Sequence, residues 1–225
     1  MAELSERSGV PVATIKYYLR ERMLPAGEYT SPNQAVYDER HVDRLRLVRA
    51  LLDVGGLSVS SVVAVLAAVD DESMPLTWAF GVAQHALPNP VDPAAPRRPR
   101  LHDLPVVEGE PAEPLHPELA DLFSARGWSV SADNPGIAMT ARVLDTYDGL
   151  GLSHLKSTLP AYAEAAEIIA QADLGAVGLH TERSVMVESV VVGTVLGDSM
   201  FAGLRRIAQE CVSRQVFPDP QPENT

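Results

Sequence analysis

The chain has 225 residues, 46% of them hydrophobic and only 5% aromatic, with a formal net charge of −12 at pH 7. That length supports two modest domains with real cores. The acidity argues against a chain that coats nucleic acid indiscriminately. A single cysteine, Cys211, excludes an internal disulfide and suits a reducing compartment.

The first twenty residues form two short helical patterns around a tight Gly9-Val10-Pro11 corner. The second pattern places Val12, Ile15 and Leu19 inward and leaves Thr14, Lys16, Tyr17 and Arg20 outward. Two helices joined by a short glycine-bearing turn predict a helix-turn-helix, whose second helix lies in a DNA major groove. Cations there serve phosphates or guanine edges, and hydroxyls fix position. Tyr18 falls at the helix edge, where it can pack or touch phosphate.

Pro25-Ala26-Gly27 and Ser31-Pro32-Asn33 carry turn chemistry and predict a short wing between strand-like pieces, where Asn33 and Gln34 reach phosphates or bases. Asp38 is placed to cap a helix running to about Val54, with Val42, Leu45, Val48 and Leu52 in one stripe. Gly55-Gly56 ends it. Ser58 caps the next, in which Val59, Val62, Val63, Leu66 and Val69 recur. Asp70-Asp71-Glu72 opposes the macrodipole at a helix C-terminus, so the N-terminal unit is expected to close near residue 72.

A helix from about Pro75 to Leu87 follows. Nine prolines between Pro88 and Pro117 then predict an irregular linker, with Arg97, Arg98 and Arg100 as a solvated run or as phosphate contacts. Residues 118–215 read as all helical: 118–126 ended by Gly127, 134–150 started by Asn134-Pro135, 160–174, and about 181–215. Residues 216–225 are expected to be a disordered tail. The fold expected is mainly α: a winged helix-turn-helix over 1–72, a short helix and linker over 73–117, and a helical domain over 118–215. The last helix is apolar on nearly every side between Val185 and Phe201, so it must be buried from all directions. A second copy of the same helix would supply the cover, giving a homodimer, with Gly193 and Gly197 permitting close approach. An intrachain core is the competing arrangement. Glu188 and Asp198 within the apolar run argue against a membrane span.

Charge divides unevenly. Residues 1–50 hold 8 basic and 7 acidic residues, a net +1, and the remainder carries −13. Phosphate attraction must then come from local arrangement, chiefly Lys16, Arg20, Arg22, Arg40 and Arg44. No phosphate-binding loop, dinucleotide fingerprint or nucleophile elbow occurs, and the six histidines never fall four apart on one helix. No enzyme activity, cofactor or metal site is expected. Trp128, Tyr147, His154 and Tyr162 are candidates for an organic effector pocket, with plain core packing or solvent exposure the bland alternatives. The N-terminus shows no export signal, so a cytoplasmic location is expected.

Taken together, Gly9-Val10, Thr14-Ile15-Lys16-Tyr17-Tyr18, Met23-Leu24-Pro25, Tyr37-Asp38-Glu39, Arg44-Leu45 and Gly55-Gly56-Leu57-Ser58 resemble the opening of the MerR family of bacterial transcription regulators. The resemblance covers about the first 70 residues. Lys16 departs from the arginine usual there, turning a planar two-point contact into a point charge. Arg22 stands where the family has glycine, and Pro32-Asn33-Gln34-Ala35-Val36 replaces a Gly-Tyr-Arg wing. The resemblance implies a homodimer on a pseudo-palindromic promoter in double-stranded DNA. Thr14, Lys16, Tyr17, Tyr18 and Arg20 would lie at the groove, with Asn33, Tyr37 and Arg44 as secondary contacts. A small organic ligand in the helical domain would change the spacing of the two heads. The alternative is a protein-interaction module whose helix-turn-helix docks a protein such as RNA polymerase.

Overall fold

The computed structural model describes residues 1–31, 34–71, 73–88, 115–179 and 181–217. In chain order these form α1 (Ala2–Ser8), α2 (Val12–Arg20), β1 (Glu28–Ser31), β2 (Gln34–Val36), α3 (Glu39–Arg49), α4 (Val59–Asp70) and α5 (Leu76–Ala86). After the linker come α6 (Pro117–Arg126), α7 (Pro135–Gly149), α8 (Leu159–Val177) and α9 (Arg183–Val216). A π-helical turn, Ala50–Val54, extends α3, and a 3-10 segment, Ser153–Thr158, leads into α8. The mainly helical architecture read from the sequence is the one the chain adopts.

Local chemistry explains the boundaries. Gly9 ends α1 in the left-handed region (φ 69°), returning its N–H to the Ser5 carbonyl at 2.9 Å. Asp38 accepts from the His41 N–H at 3.3 Å while the His41 ring accepts from the Asp38 N–H at 3.2 Å, a reciprocal cap in which histidine replaces the usual glutamate. Ser58 caps α4 by accepting from Ser61 N–H at 3.1 Å, and Asn134 caps α7 by accepting from Gly136 N–H at 2.9 Å.

β1 and β2 pair antiparallel, with Glu28 opposite Val36 and Tyr29 opposite Ala35, and a register irregularity before Ser31. Gly27 permits this hairpin to close: a Cβ there would lie 2.5 Å from the Val36 carbonyl oxygen.

The main core gathers Leu4, Ile15, Met23, Leu45, Leu51 and Leu66 from the N-terminal unit, but also Ala83 of α5 and Val191 and Val195 of α9. A second cluster joins Ala68, Met74 and Ala79 to Val177, Val187 and Val190. Residues on both sides of position 72 therefore share cores, so the unit does not close on itself there. Val187, Val190, Val191 and Val195 in the apolar first half of α9 are covered by the chain's own elements, the intrachain packing weighed against a second subunit. Each of those buried valines contributes roughly 1.5–3 kcal/mol relative to exposure.

α9 is, among the described residues, the helix long and apolar enough to cross a membrane by length and composition; four of its valines pack against α4, α5 and α8. Past Ser199 its apolar residues lose their cover, Leu204 being 56% and Ile207 66% exposed, while Arg205 still reaches Tyr162 of α8. Helical order continues to Val216, inside the segment expected to be a disordered tail. Arg97, Arg98 and Arg100 lie outside the described residues, as do 218–225.

α6, α7 and α8 are held largely by polar ties. Arg126 pairs with Glu167 at 2.8 Å, the Trp128 indole N–H donates to Glu167 at 3.2 Å, and Lys156 reaches Glu118 at 2.9 Å and also Asp148. Their buried hydrophobic residues are few: Leu119 in α6, Leu144 in α7, Ala163 and Val177 in α8.

Candidate nucleic-acid interface

α2 turns Ile15 and Tyr18 into the core and leaves Ala13, Lys16 and Arg20 exposed, with Thr14 and Tyr17 half-buried beside them. Ala13, Lys16, Tyr17 and Arg20 follow i, i+3, i+4, i+7 and therefore form one stripe. The stripe offers a small methyl, an ammonium, a phenol and a guanidinium: chemistry for a thymine methyl, guanine edges and phosphates. Arg20 is pre-positioned, its guanidinium 5.1 Å from the Tyr17 ring centroid and its Nε donating to Glu21 at 3.2 Å.

The near-zero charge of the head is not evenly spread. Arg7 pairs with Glu39, Arg46 with Asp43 at 2.8 Å, and Arg49 with Asp53 at 2.9 Å, so the α3 side is internally neutralised. Lys16, Arg22 and Arg40 make no ion pair with any described residue, and all three are exposed. The head therefore holds exposed cations without an ion-pair partner among the described residues although its summed charge is near zero.

Two residues expected at DNA do structural work instead. Tyr18 is buried in the core against α3, and burial pushes its phenol above the usual tyrosine range. Arg44 points inward: its Nε donates to the Met23 carbonyl at 3.1 Å and its guanidinium pairs with Asp70, leaving the side chain 11% exposed. The apolar position at 18 and the inward face at 44 follow from helix phase: Tyr18 is three residues from Ile15, and Arg44 precedes the buried Leu45. Tyr37 remains partly exposed beneath the wing, edge-on to His41 with centroids 5.1 Å apart. Asn33 lies outside the described residues, and Gln34 is described by its place in β2.

Arg22 holds a left-handed backbone (φ 61°), a conformation that glycine takes without strain. That geometry accounts for the glycine expected at this turn and shows the fold tolerating its absence.

The four effector candidates do not converge. Trp128 leans on Arg126 and Glu167; Tyr162 accepts a hydrogen bond from Arg205 Nε at 2.9 Å; Tyr147 is half-buried on α7; His154 is exposed in the 3-10 segment. Two cavities among the described residues lie elsewhere, along α8 and α9, and none of the four lines either. The first is lined by Gly193 and Gly197 with Val54, Val192, Leu196 and Met200, and the second by Phe80, Val177 and Val190 with Ser189 and Thr194, residues that helical periodicity alone does not single out.

Known proteins bear on this arrangement. Residues 1–69 match the model of the MerR helix-turn-helix family of regulatory proteins. A crystal structure of a provisionally assigned transcriptional regulator, SCO5550, from Streptomyces coelicolor A3(2) is similar over 98% of this chain and 99% of that one, with 31% identity and a TM-score of 0.61. No curated protein matches the chain.

Proposed function

Because the chain belongs to the MerR family of helix-turn-helix regulatory proteins, we propose that it is a homodimeric transcription regulator that reads a pseudo-palindromic promoter site. The observation that carries this reading is the α2 stripe of Ala13, Lys16, Tyr17 and Arg20, backed by a core that faces the opposite way. In this scheme Lys16 and Arg20 meet guanine edges or phosphates, and Thr14 and Tyr17 fix register. Arg22 and Arg40 add phosphate contacts, and the Asn33 wing tip and Tyr37 lie beside the neighbouring backbone. Such a regulator works in the cytoplasm, where the chromosome and RNA polymerase are.

Dimerisation is supported by the exposed apolar residues of the second half of α9. Leu204 and Ile207 repeat on one exposed side of the helix, next to a loosely cored α6–α8 layer. A two-fold axis through that helix would give two heads and matched half-sites. Sedimentation of a Leu204→Glu, Ile207→Glu double variant tests this: a monomer is expected, and an unchanged dimer would place the interface elsewhere. A small organic effector bound to the helical body would act by changing the spacing of the heads.

The direct test is selection of chromosomal fragments bound by the protein, followed by affinity measured against salt. Recovery of a recurrent inverted repeat, with affinity falling steeply as salt rises, is expected. Binding to a protein partner with no such repeat would favour the docking alternative, which the Arg20–Glu21 pairing also suits.

A further inference from the structure

The chain enters its helical body at His116, which stands at the N-terminus of α6 with its side chain 14% exposed. Its ring lies between two carboxylates. Nδ1 faces Glu118 Oε2 of the same helix at 3.8 Å, and Nε2 faces Asp145 Oδ1 of α7 at 3.4 Å. Lys156 of the 3-10 segment completes the group, donating to the other Glu118 oxygen at 2.9 Å and to Asp148. The second Asp148 oxygen accepts from the Ser153 hydroxyl at 2.7 Å. Three carboxylates against one lysine leave the group net negative while the ring is neutral.

Two atoms here are shut off from solvent with no hydrogen-bond partner: His116 Nδ1 and Glu118 Oε2, the pair that face each other. A neutral imidazole carries one N–H. With that hydrogen on Nε2, the Nδ1 lone pair confronts the Glu118 carboxylate; with it on Nδ1, the Nε2 lone pair confronts Asp145. Each tautomer satisfies one side and opposes the other. Imidazolium alone presents a donor to both. We propose that His116 is a proton-operated clasp: on taking up a proton from solvent its ring draws Glu118 of α6 and Asp145 of α7 together, and on releasing the proton it lets the two helices part. The observed separations are those of an open clasp, since charge-assisted N–H···O bonds close to about 2.7–2.9 Å.

One side chain matters this much because α6 and α7 bury little else; Leu119 and Leu144 are their buried residues. Histidine is the side chain whose ordinary charge change falls between about pH 5 and 8, an interval in which carboxylates and lysines ordinarily hold their charges. The clasp therefore moves within a fixed frame of counter-charge, at the junction with the linker.

Amide hydrogen exchange of the full chain at about pH 5.5 and about pH 8, corrected for the intrinsic pH dependence of exchange, tests the clasp. Amides of α6 and α7 are expected to be about tenfold better protected at the lower pH, with those of α4 unchanged as the internal reference. Ring nitrogen resonances of His116 should report both nitrogens protonated there. His116→Gln, which hydrogen-bonds but takes up no proton, should lose the difference in protection. Asp145→Asn, at a side chain 70% exposed, should keep the fold and lose most of it, so the test stands even if the glutamine variant does not fold. Equal protection of the parent at the two pH values, or a difference that survives in Asp145→Asn, would overturn the proposal. No DNA enters the measurement, so its outcome is separate from that of promoter binding.

Discussion

Gly55 and Val195 lie so close that a methyl group on the glycine would penetrate the valine's Cγ1. The same methyl would stand 2.8 Å from the Leu51 carbonyl oxygen, so relaxation in one direction creates a clash in another. This contact fastens the end of α3 to a helix that begins more than a hundred residues later. Gly55→Ala is expected to destabilise the fold by about 1–3 kcal/mol, as overpacking does. Gly193→Ala, whose methyl meets open space, should not destabilise and provides the control. Thermal midpoints of the two variants decide the matter, and equal midpoints would refute the close approach.

On the reading stripe, Lys16→Ala and Arg20→Ala should each lower affinity for a selected operator while leaving the thermal midpoint unchanged. The loss expected is about 1–3 kcal/mol for a base-reading contact and smaller for a phosphate contact. Competition against mismatched sites separates the two, since a base contact also relaxes specificity. If both variants bind as the parent does, α2 is not the recognition helix.

Arg44 should behave in the opposite way. Removing it leaves the Met23 carbonyl without this donor and Asp70 without its partner. Arg44→Met is expected to cost about 1.5–3 kcal/mol of stability, the range for hydrogen bonds involving a charged group. Measured on the folded fraction, operator affinity should change little. A variant that melts normally but binds DNA poorly would restore Arg44 to the interface.

Arg22→Gly separates strain from charge. Relief of the left-handed backbone should raise stability by about 1 kcal/mol, less the entropy that glycine adds to the unfolded chain. Loss of an exposed cation should weaken DNA binding modestly and flatten its salt dependence. Denaturant titration and a salt series test the two halves independently.

The cluster around Lys156 predicts a pH response. Hydrogen bonds from Lys156 and then Ser153 hold the Asp148 carboxyl below its ordinary range, and Asp148 followed by Glu118 raises the Lys156 ammonium above its own. A lowered carboxylate contributes stability above its unfolded pKa and loses it as pH falls through the folded value; a raised lysine contributes below its unfolded pKa and loses it as pH rises through the folded value. These two groups should therefore leave the α6–α7 region insensitive across neutral pH and loosen it both in acid and in strong alkali. Amide exchange of α6 and α7 against pH reports this, and Lys156→Met should reduce the acid dependence attributable to Asp148, leaving the part held by Ser153. An unchanged acid profile in that variant would assign the loosening to other carboxylates.

Much of the architecture was legible in one dimension because it is decided locally. Gly9 ends α1, Asp38 and Ser58 cap α3 and α4, Pro117 opens α6, Gly127 closes it and Asn134 starts α7, each through backbone groups within a few residues. The exposed stripe of α2 was readable for the same reason: helical phase alone separates Ile15 from Lys16 and Arg20. Tyr18 and Arg44 escaped because residue type speaks for DNA at both positions, whereas the neighbours decide their role. One meets the packed core and the other an orphan carbonyl and a carboxylate 26 positions away.

What the chain determined by itself is the set of helices, their caps, the glycine corner and the family to which the head belongs. These depend on hydrogen bonds closed within a turn or two and on a periodicity that needs no partner. Which apolar faces meet was settled only in three dimensions. α9 could cover itself with a second copy or with α4 and α5, and burial of nonpolar surface is non-directional, so no local pattern distinguishes the choices. The fold chose its own chain for Val187, Val190, Val191 and Val195, and left a cavity lined by Gly193 and Gly197 beside them.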